Sequence, residues 1–298
     1  MDLLEHLAAQ FPTAKRTTLR RMIEAGRVTI NGLPARRAKD PVAEGDTVAV
    51  ADQSPDAAEP APVARPPFEI VHEDDDVIVI LKPPGLLTST NARERRATVA
   101  SKLEEYFAST APRARVGVIH RLDRDASGLL VFSKNNSAYH NLKTQFFHHT
   151  VERVYTAVLG GVVQPAEGRI ESLLMEREDG RVMETDEPSD GQEAVTTYRT
   201  LATARPDLGL AAGRKTVTLV RVTLETGRKH QIRAHFAAKG CPVLGDPVYG
   251  PFPEPGMRLM LAATELAFDH PRTKERKSFR IKPPKEINAL FPGVPTDA

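Results

Sequence analysis

Asp123 sits in the run His120-Arg121-Leu122-Asp123-Arg124-Asp125-Ala126-Ser127-Gly128, with an arginine two residues before it and another directly after. The run lies between two short apolar stretches, Val116 to Ile119 and Leu129 to Phe132. Both read as buried strands, because they are short, rich in large apolar residues and bounded by turn signals. Positive charge on either side favours an ionised carboxylate, which suits a nucleophile or a base better than a proton donor. A plain surface turn would carry similar residues, so the rest of the chain must decide between the two.

A second polar cluster occupies Thr226 to His235 (Thr-Gly-Arg-Lys-His-Gln-Ile-Arg-Ala-His), after the β-branched stretch Thr216 to Leu224. The chain turns at Gly227 and should enter a helix that ends at Gly240. Ile232 and Phe236, four apart, form a buried stripe with His230 and Arg233 beside it near the helix start. The N-terminus of a helix favours an anion. Two targets suit this segment, a phosphate and the Asp123 carboxylate.

Several other chemistries lack their residues. One cysteine, Cys241, forbids an internal disulfide and any multi-cysteine zinc site. Its flanking Gly240 and Pro242 suggest a small buried residue in a turn. His230 and His235 are five apart, whereas a metalloprotease helix needs two histidines four apart with a glutamate between them. Phosphate-binding and dinucleotide-binding glycine patterns are missing, as is a nucleophile elbow. The expectation is therefore a protein without metal or cofactor.

The 298 residues are 40% hydrophobic and 27% charged, ordinary for a water-soluble protein with more than one domain. No apolar run reaches the ~20 residues of a membrane helix, and Met-Asp-Leu-Leu-Glu-His does not look like a secretory signal. A cytoplasmic protein with no membrane partner is expected. The net charge of +2 hides an uneven distribution. Lys15, Arg16, Arg20, Arg21, Arg27, Arg36, Arg37 and Lys39 crowd into 25 positions with one acid, Glu24. Clustered basic charge is the footprint of a phosphate-backbone binder, although a solvated helix face would look similar.

Residues 1–50 read as a module. Leu3, Leu4, Leu7 and Ala8 recur at helical spacing. A second helix follows Pro12, capped by Thr17 or Thr18, with Leu19, Met22 and Ile23 as its stripe and Gly26 as its end. Val28 to Ile30 alternates like a strand, Asn31-Gly32 signals a hairpin, and Thr47 to Val50 reads as another strand. Residues 51–67 hold five prolines and five alanines, the composition of a semi-rigid linker. Residues 68–298 read as one domain of many strands. Within it Phe68–Val71 and Val77–Leu81 flank a hairpin, and helices cover Val99–Phe107 and Ser137–Phe147. Tyr155–Leu159 is a strand, and Glu176–Gly191 a loop or hairpin excursion.

From about Phe68 onward the chain resembles the RluA-type family of RNA pseudouridine synthases. His120-Arg121-Leu122-Asp123 with Ser127-Gly128 resembles the catalytic segment, and Lys82-Pro83-Pro84-Gly85-Leu86 an early lysine–proline turn. Arg153-Val154-Tyr155-Thr156-Ala157 resembles the tyrosine segment. Thr226 to His235, with Gly240, Pro242, Gly245-Asp246 and Tyr249-Gly250, resembles the third motif. Leu261-Ala262-Ala263 with His270-Pro271 resembles the closing strand. Residues 1–50 resemble the RNA-binding module named after ribosomal protein S four. Two positions depart from the family pattern: Ala126 stands where threonine is common, and Arg153 where lysine is common.

The resemblance implies an α+β protein: a small N-terminal α/β RNA-binding module before a large catalytic domain. That domain would be a mixed, mainly antiparallel sheet with flanking helices and a central cleft. It implies a cofactor-free isomerase that acts as a monomer on structured RNA, ribosomal in preference to transfer RNA. A non-catalytic RNA-binding or assembly factor on the same scaffold is the alternative class. Asp123 would be the essential carboxylate, paired with Arg233. Tyr155 would lie against the uracil. Arg121 would fill the space of the extruded nucleotide, His120 support the loop and Lys82 contact a backbone phosphate. Ile232 and His230 would line the substrate site, and the eight basic residues would meet RNA phosphates.

Overall fold

Asp2 starts the first helix by a reciprocal cap: its carboxylate accepts from the Glu5 N–H at 2.8 Å, and Glu5 reaches back to the Asp2 N–H. The computed structural model describes residues 1–35, 37–43, 45–51, 65–90, 96–206, 216–250 and 256–294. The chain divides into two units, Met1–Val63 and Ala64–Ala298.

In the first unit, α1 (Leu3–Gln10) and α2 (Arg16–Glu24) pack on β1 (Val28–Ile30), β2 (Leu33–Pro34) and β3 (Val48–Val50). Leu3, Leu4, Leu7, Leu19, Ile23 and Val28 form the core. The sheet order is β2-β1-β3, all antiparallel. Asn31 and Gly32 both have positive φ (52° and 79°), so the β1–β2 turn has the backbone that Asn-Gly favours. One expectation fails: α2 begins at Arg16, one residue ahead of Thr17, and Lys15 at its N-cap makes no side-chain cap. Neither threonine is at the helix boundary, so neither hydroxyl caps it.

The second unit opens with the hairpin of β4 (Glu69–Glu73) and β5 (Val77–Lys82). The Asp74 carboxylate accepts from the Asp76 and Val77 N–H groups, at 2.8 and 2.9 Å, and so shapes that turn. Then come α3 (Val99–Thr110), β6 (Gly117–Val118), β7 (Ser127–Ser133), α4 (Asn136–Phe147) and β8 (Glu152–Gly160). β9 (Glu167–Glu176), β10 (Val182–Thr185), β11 (Gln192–Ala204) and β12 (Val217–Leu224) follow. The unit closes with α5 (Gln231–Ala238), β13 (Leu261–Asp269), β14 (Arg276–Arg280) and α6 (Lys285–Leu290).

These strands build one sheet in the order β10-β9-β11-β12-β8-β13-β7-β5-β4, with β14 added to β13 and β6 to β7. Every pairing is antiparallel except β13 with β7. The architecture is thus the mixed, mainly antiparallel α+β arrangement expected above. Along β5 and β7, Ile78, Ile80, Leu130 and Phe132 join one core, with Val99 and Leu103 of α3. The alternate residues Val77, Val79, Leu129 and Val131 join another, with Leu142 of α4. Alternation puts the two cores on opposite sheet faces, so the central strands are covered on both sides.

The stretch Val116–Ile119 is less of a strand than its composition suggests. Only Gly117 and Val118 pair, with Ser133 and Phe132 of β7. Glu176–Gly191 contains β10, which pairs back onto β9 as a hairpin. Among the described residues no helix is long and apolar enough to cross a membrane. Most of the proline-rich stretch lies outside the described residues.

Candidate active site

Asp123 lies in the turn that feeds β7, and the segment after β5 holds that turn by its backbone. The Thr88 hydroxyl donates to the Leu122 carbonyl (2.9 Å) and accepts from the Leu122 N–H (3.2 Å). The Gly85 N–H donates to the Arg124 carbonyl at 2.9 Å. Lys82 is fully buried and donates from Nζ to the carbonyls of Pro83, Arg124 and Ala126 at 2.8–2.9 Å. Burial pushes its pKa down to about 8. This corrects the expected phosphate contact: all three ammonium protons are spent on carbonyls, so Lys82 is a tie for the Asp123 turn.

The turn leads into a close approach. Ser127 and Gly128 run parallel to Ala262 and Ala263 of β13. Gly128 has φ +119°, and a Cβ there would collide with the Ala263 backbone.

Arg233 meets Asp123 from α5. It is 3% exposed, and its Nη1 donates to Asp123 Oδ2 at 2.9 Å. Its Nε and Nη2 form a fork on Asp246, at 2.7 and 2.8 Å. Burial opposes the charge on Arg233, but the hydrogen bond and charge of Asp246, together with the Asp123 charge, outweigh it and raise the pKa. Asp246 also accepts from the N–H groups of Val248 and Tyr249. Burial would raise its pKa, but Arg233 and these N–H groups lower it on balance. Sequence reasoning gave Asp246 no task. Its signal was a lone carboxylate after Gly245, a turn residue with φ +73°.

Asp123, Tyr155, Ile232, Arg233 and His230 line one narrow slot, walled further by Leu122, Ala126 and Leu261. Tyr155 arrives on β8, paired with Val222 and Ala263. It is 6% exposed; burial raises its phenol pKa, Arg153 lowers it and the Asp123 charge raises it. His230 takes a left-handed backbone (φ 52°) ahead of α5, and its Nδ1 lies 3.1 Å from the Tyr249 hydroxyl. Burial lowers its pKa. The Arg233 guanidinium stacks 5.2 Å above the Tyr249 ring. Asp123 also faces a wider polar cleft of about 460 Å³ with Arg121, Arg124, Arg228 and Lys229 on its walls. The slot sets apolar side chains beside the Asp123–Arg233 pair, and the charged side chains lining the cleft are mainly cations.

Arg121 is exposed at the rim of that cleft. His120 does not enter the slot. Its Nε2 accepts from the Val131 N–H at 3.3 Å, and its ring stacks on Phe146 at 4.6 Å. Burial, then the charges of Arg153 and Lys143, hold it down at about 3, so it is neutral. In the first unit, Lys15, Arg16, Arg20, Arg21, Arg37 and Lys39 are exposed. Arg27 is half-buried and donates from Nε to the Ala51 carbonyl. Arg36 lies outside the described residues.

Among the described residues one group has ligand spacing for a metal: Asp74, Asp76 and His270. The hydrogen bonds there argue for a proton-linked clasp. His270 Nδ1 accepts from the Arg272 and Thr273 N–H groups, leaving the ring proton on Nε2, which faces Asp74 Oδ2 at 3.1 Å. A histidine that binds a metal normally donates from its other nitrogen. Arg272 further sets its Nε 2.7 Å from Asp76.

The site is a carboxylate paired with a buried arginine, set between a narrow slot and a wider polar cleft. Residues 76–238 match the RNA pseudouridylate synthase family, and residues 7–48 match the S4 domain. A "Ribosomal large subunit pseudouridine synthase D" of Haemophilus ducreyi is 32% identical, over 98% of this chain and 90% of that protein. The Bacillus subtilis "Uncharacterized RNA pseudouridine synthase YlyB" is 34% identical, over 93% and 88%. The solved structure titled "Human RNA Pseudouridylate Synthase Domain Containing 1" aligns with a TM-score of 0.59 at 25% identity, covering 78% of this chain and 90% of that one. This chain belongs to the RNA pseudouridylate synthase family and carries an N-terminal S4 domain. It is an isomerase that acts on RNA.

Proposed function

We propose that this enzyme converts specific uridines of large-subunit ribosomal RNA to pseudouridine, with Asp123 as the essential carboxylate and no cofactor. The observation that carries this is the Arg233 guanidinium, held by Asp246 and turned onto Asp123 at the mouth of a slot walled by Tyr155 and Ile232. The ribosomal target rests on the names of the full-length relatives and on the basic N-terminal unit.

The reaction breaks the bond between uracil nitrogen and ribose, turns the ring, and joins ribose to a ring carbon. The carbon loses a proton and the freed nitrogen gains one. Atoms and electrons balance within the substrate, so no redox group or carrier is required. Asp123, ionised against Arg233, either attacks the ribose or takes a proton from it. Tyr155 lies flat along the base and helps move the proton as the new bond forms. Stacking on such a ring contributes about 1–3 kcal/mol per base. A uridine inside a helix must leave its stack to reach the slot, and Arg121 at the cleft rim fills the space it leaves. His230 and Ile232 border the base, and His120 braces the turn from behind. Lys15, Arg16, Arg20, Arg21, Arg27, Arg36, Arg37 and Lys39 meet phosphates and position the RNA. The same reading makes the protein a cytoplasmic monomer, which sedimentation with and without RNA checks.

Pseudouridine maps of total RNA from cells with and without the protein test the proposal. Sites lost from large-subunit ribosomal RNA are the expected result. Sites lost only from transfer RNA would replace the target and keep the chemistry. Unchanged maps, with no product in vitro, would defeat the reading.

A further inference from the structure

A pocket of about 840 Å³ lies apart from the slot that holds Asp123. It opens between the C-terminal end of α4, the residues just before Asp123 and the loop at Gly227. Arg121, Gly227 and Arg228 line both this pocket and the cationic cleft at Asp123. The pocket and the cleft therefore adjoin at these three residues.

The chemistry of the pocket is one-sided. Its described lining holds Arg121, Lys143, Arg153 and Arg228 and no aspartate or glutamate. Arg153 is 8% exposed, and no carboxylate lies within 4.0 Å of it among the described residues. Its Nη2 donates to the carbonyls of Leu224, Glu225 and Thr226 at 3.1–3.3 Å, and its Nε is buried with no partner. Carbonyl dipoles do not cancel a whole charge. A buried cation without a counter-ion is costly, and an anion in the pocket would offset that cost.

The rim supplies the other half of a nucleotide's needs. Phe147 is 76% exposed at the last residue of α4, with His148 edge-on at 5.1 Å. Behind it Phe146 is packed by the His120 ring and by the Arg153 guanidinium, at 4.6 and 5.5 Å, so the floor is already filled. Of the two phenylalanines, Phe147 is the one exposed to take a flat partner. An aromatic face beside a cationic floor is how proteins hold single-stranded nucleic acid.

We propose that this pocket seats the nucleotide next to the target uridine, its phosphate among Arg121, Arg153 and Arg228 and its base laid on Phe147. The proposal rests on the reading of this chain as an RNA-modifying enzyme and adds where the flanking strand goes.

The test uses the full-length chain and three single-stranded RNA nonamers: one with a central uridine, and two lacking the base on one or the other side of it. Phe147→Ala should weaken binding of the intact nonamer roughly five-fold or more, the fold-change that loss of one stacked base brings. It should add nothing for the nonamer that lacks the seated base, and that nonamer tells which neighbour is seated. Arg228→Gln should weaken all three. Both side chains are exposed, so thermal melting of the variants should match the parent. On a long ribosomal transcript, Phe147→Ala should raise KM more than it lowers kcat. Equal losses on all three nonamers, or unchanged binding and KM in Phe147→Ala, would overturn the proposal. Weaker binding in Arg228→Gln alone would reduce the pocket to an anion site and overturn it as well. If the nonamers behave as expected but no RNA is ever isomerised, the seat stands and the enzymatic reading falls.

Discussion

Asp123 depends on Arg233, and Arg233 on Asp246. Asp123→Asn keeps the shape of the site and removes the charge that the proposed reaction requires. Turnover should fall by at least ~10³-fold, as when an essential nucleophile is lost. Stability should change by less than about 1 kcal/mol, because Arg233 keeps its fork on Asp246. Release of tritium from uracil-labelled RNA, beside a urea melt, checks both halves. Asp246→Ala is the converse case. It strips a buried guanidinium of its bidentate partner and leaves Asp123 as its one remaining carboxylate. Breaking a buried pair from one side costs about 3–5 kcal/mol. The urea midpoint should drop accordingly, and the folded remainder should turn over slowly because Arg233 is no longer held toward Asp123. An Asp246→Ala protein with parental midpoint and rate would show that Arg233 is positioned by something else.

At the scale of elements, the site is the meeting of β7 and β13, joined by parallel pairing at Ser127–Gly128 and Ala262–Ala263. Gly128→Ala puts a methyl group into the Ala263 backbone at a positive φ. Strain and overpacking together should remove about 2–5 kcal/mol, read as a fall in melting temperature with activity lost in step. The β4–β5 turn gives a pH test. Burial would raise the Asp74 pKa, but the Val77 and Asp76 N–H groups and His72 bring it down to about 2. A carboxyl lowered on folding adds stability in full above its unfolded value near 4 and loses it as pH falls through 2. Asp74→Asn keeps the oxygen that shapes the turn and removes the charge. Its urea midpoint should trail the parent's at pH 5 and converge on it as pH falls below 2. A gap that stays constant across that window would rule the charge out.

These elements also show what the chain alone could and could not reveal. Asn31-Gly32 was legible because its turn is dictated by local φ. Asp123 was legible because the residues that mark it adjoin it. Arg233 with Asp246 was half legible, since their fork closes over thirteen residues and a turn whose direction no spacing rule gives. Lys82 was misread because a lysine beside prolines looks the same whether its ammonium meets solvent or three carbonyls. The β7–β13 pairing joins residues 135 apart, beyond any periodicity.

For the whole molecule, the proposed function assigns positioning to the first unit and chemistry to the second. Arg16, Arg20 and Arg21 stand exposed on α2, while Leu19 and Ile23 of the same helix are buried in the first unit's core. Replacing the three arginines with glutamine leaves that core intact and removes charge that has no reacting atom near it. If they meet phosphates, each lost contact takes roughly 0.7–0.9 from the slope of log affinity against log salt. The triple variant should therefore bind structured ribosomal RNA more weakly at low salt, with a slope shallower by about two to three. The difference from the parent should shrink as salt rises, because screening removes from the parent what substitution removed from the variant. At saturating RNA the rate should be close to parental, since Asp123, Tyr155 and Arg233 are untouched. Equal affinities and parallel salt slopes for parent and variant would mean that α2 does not touch this RNA. The basic run would then be a solvated helix face, the plainer reading that clustered charge always allows.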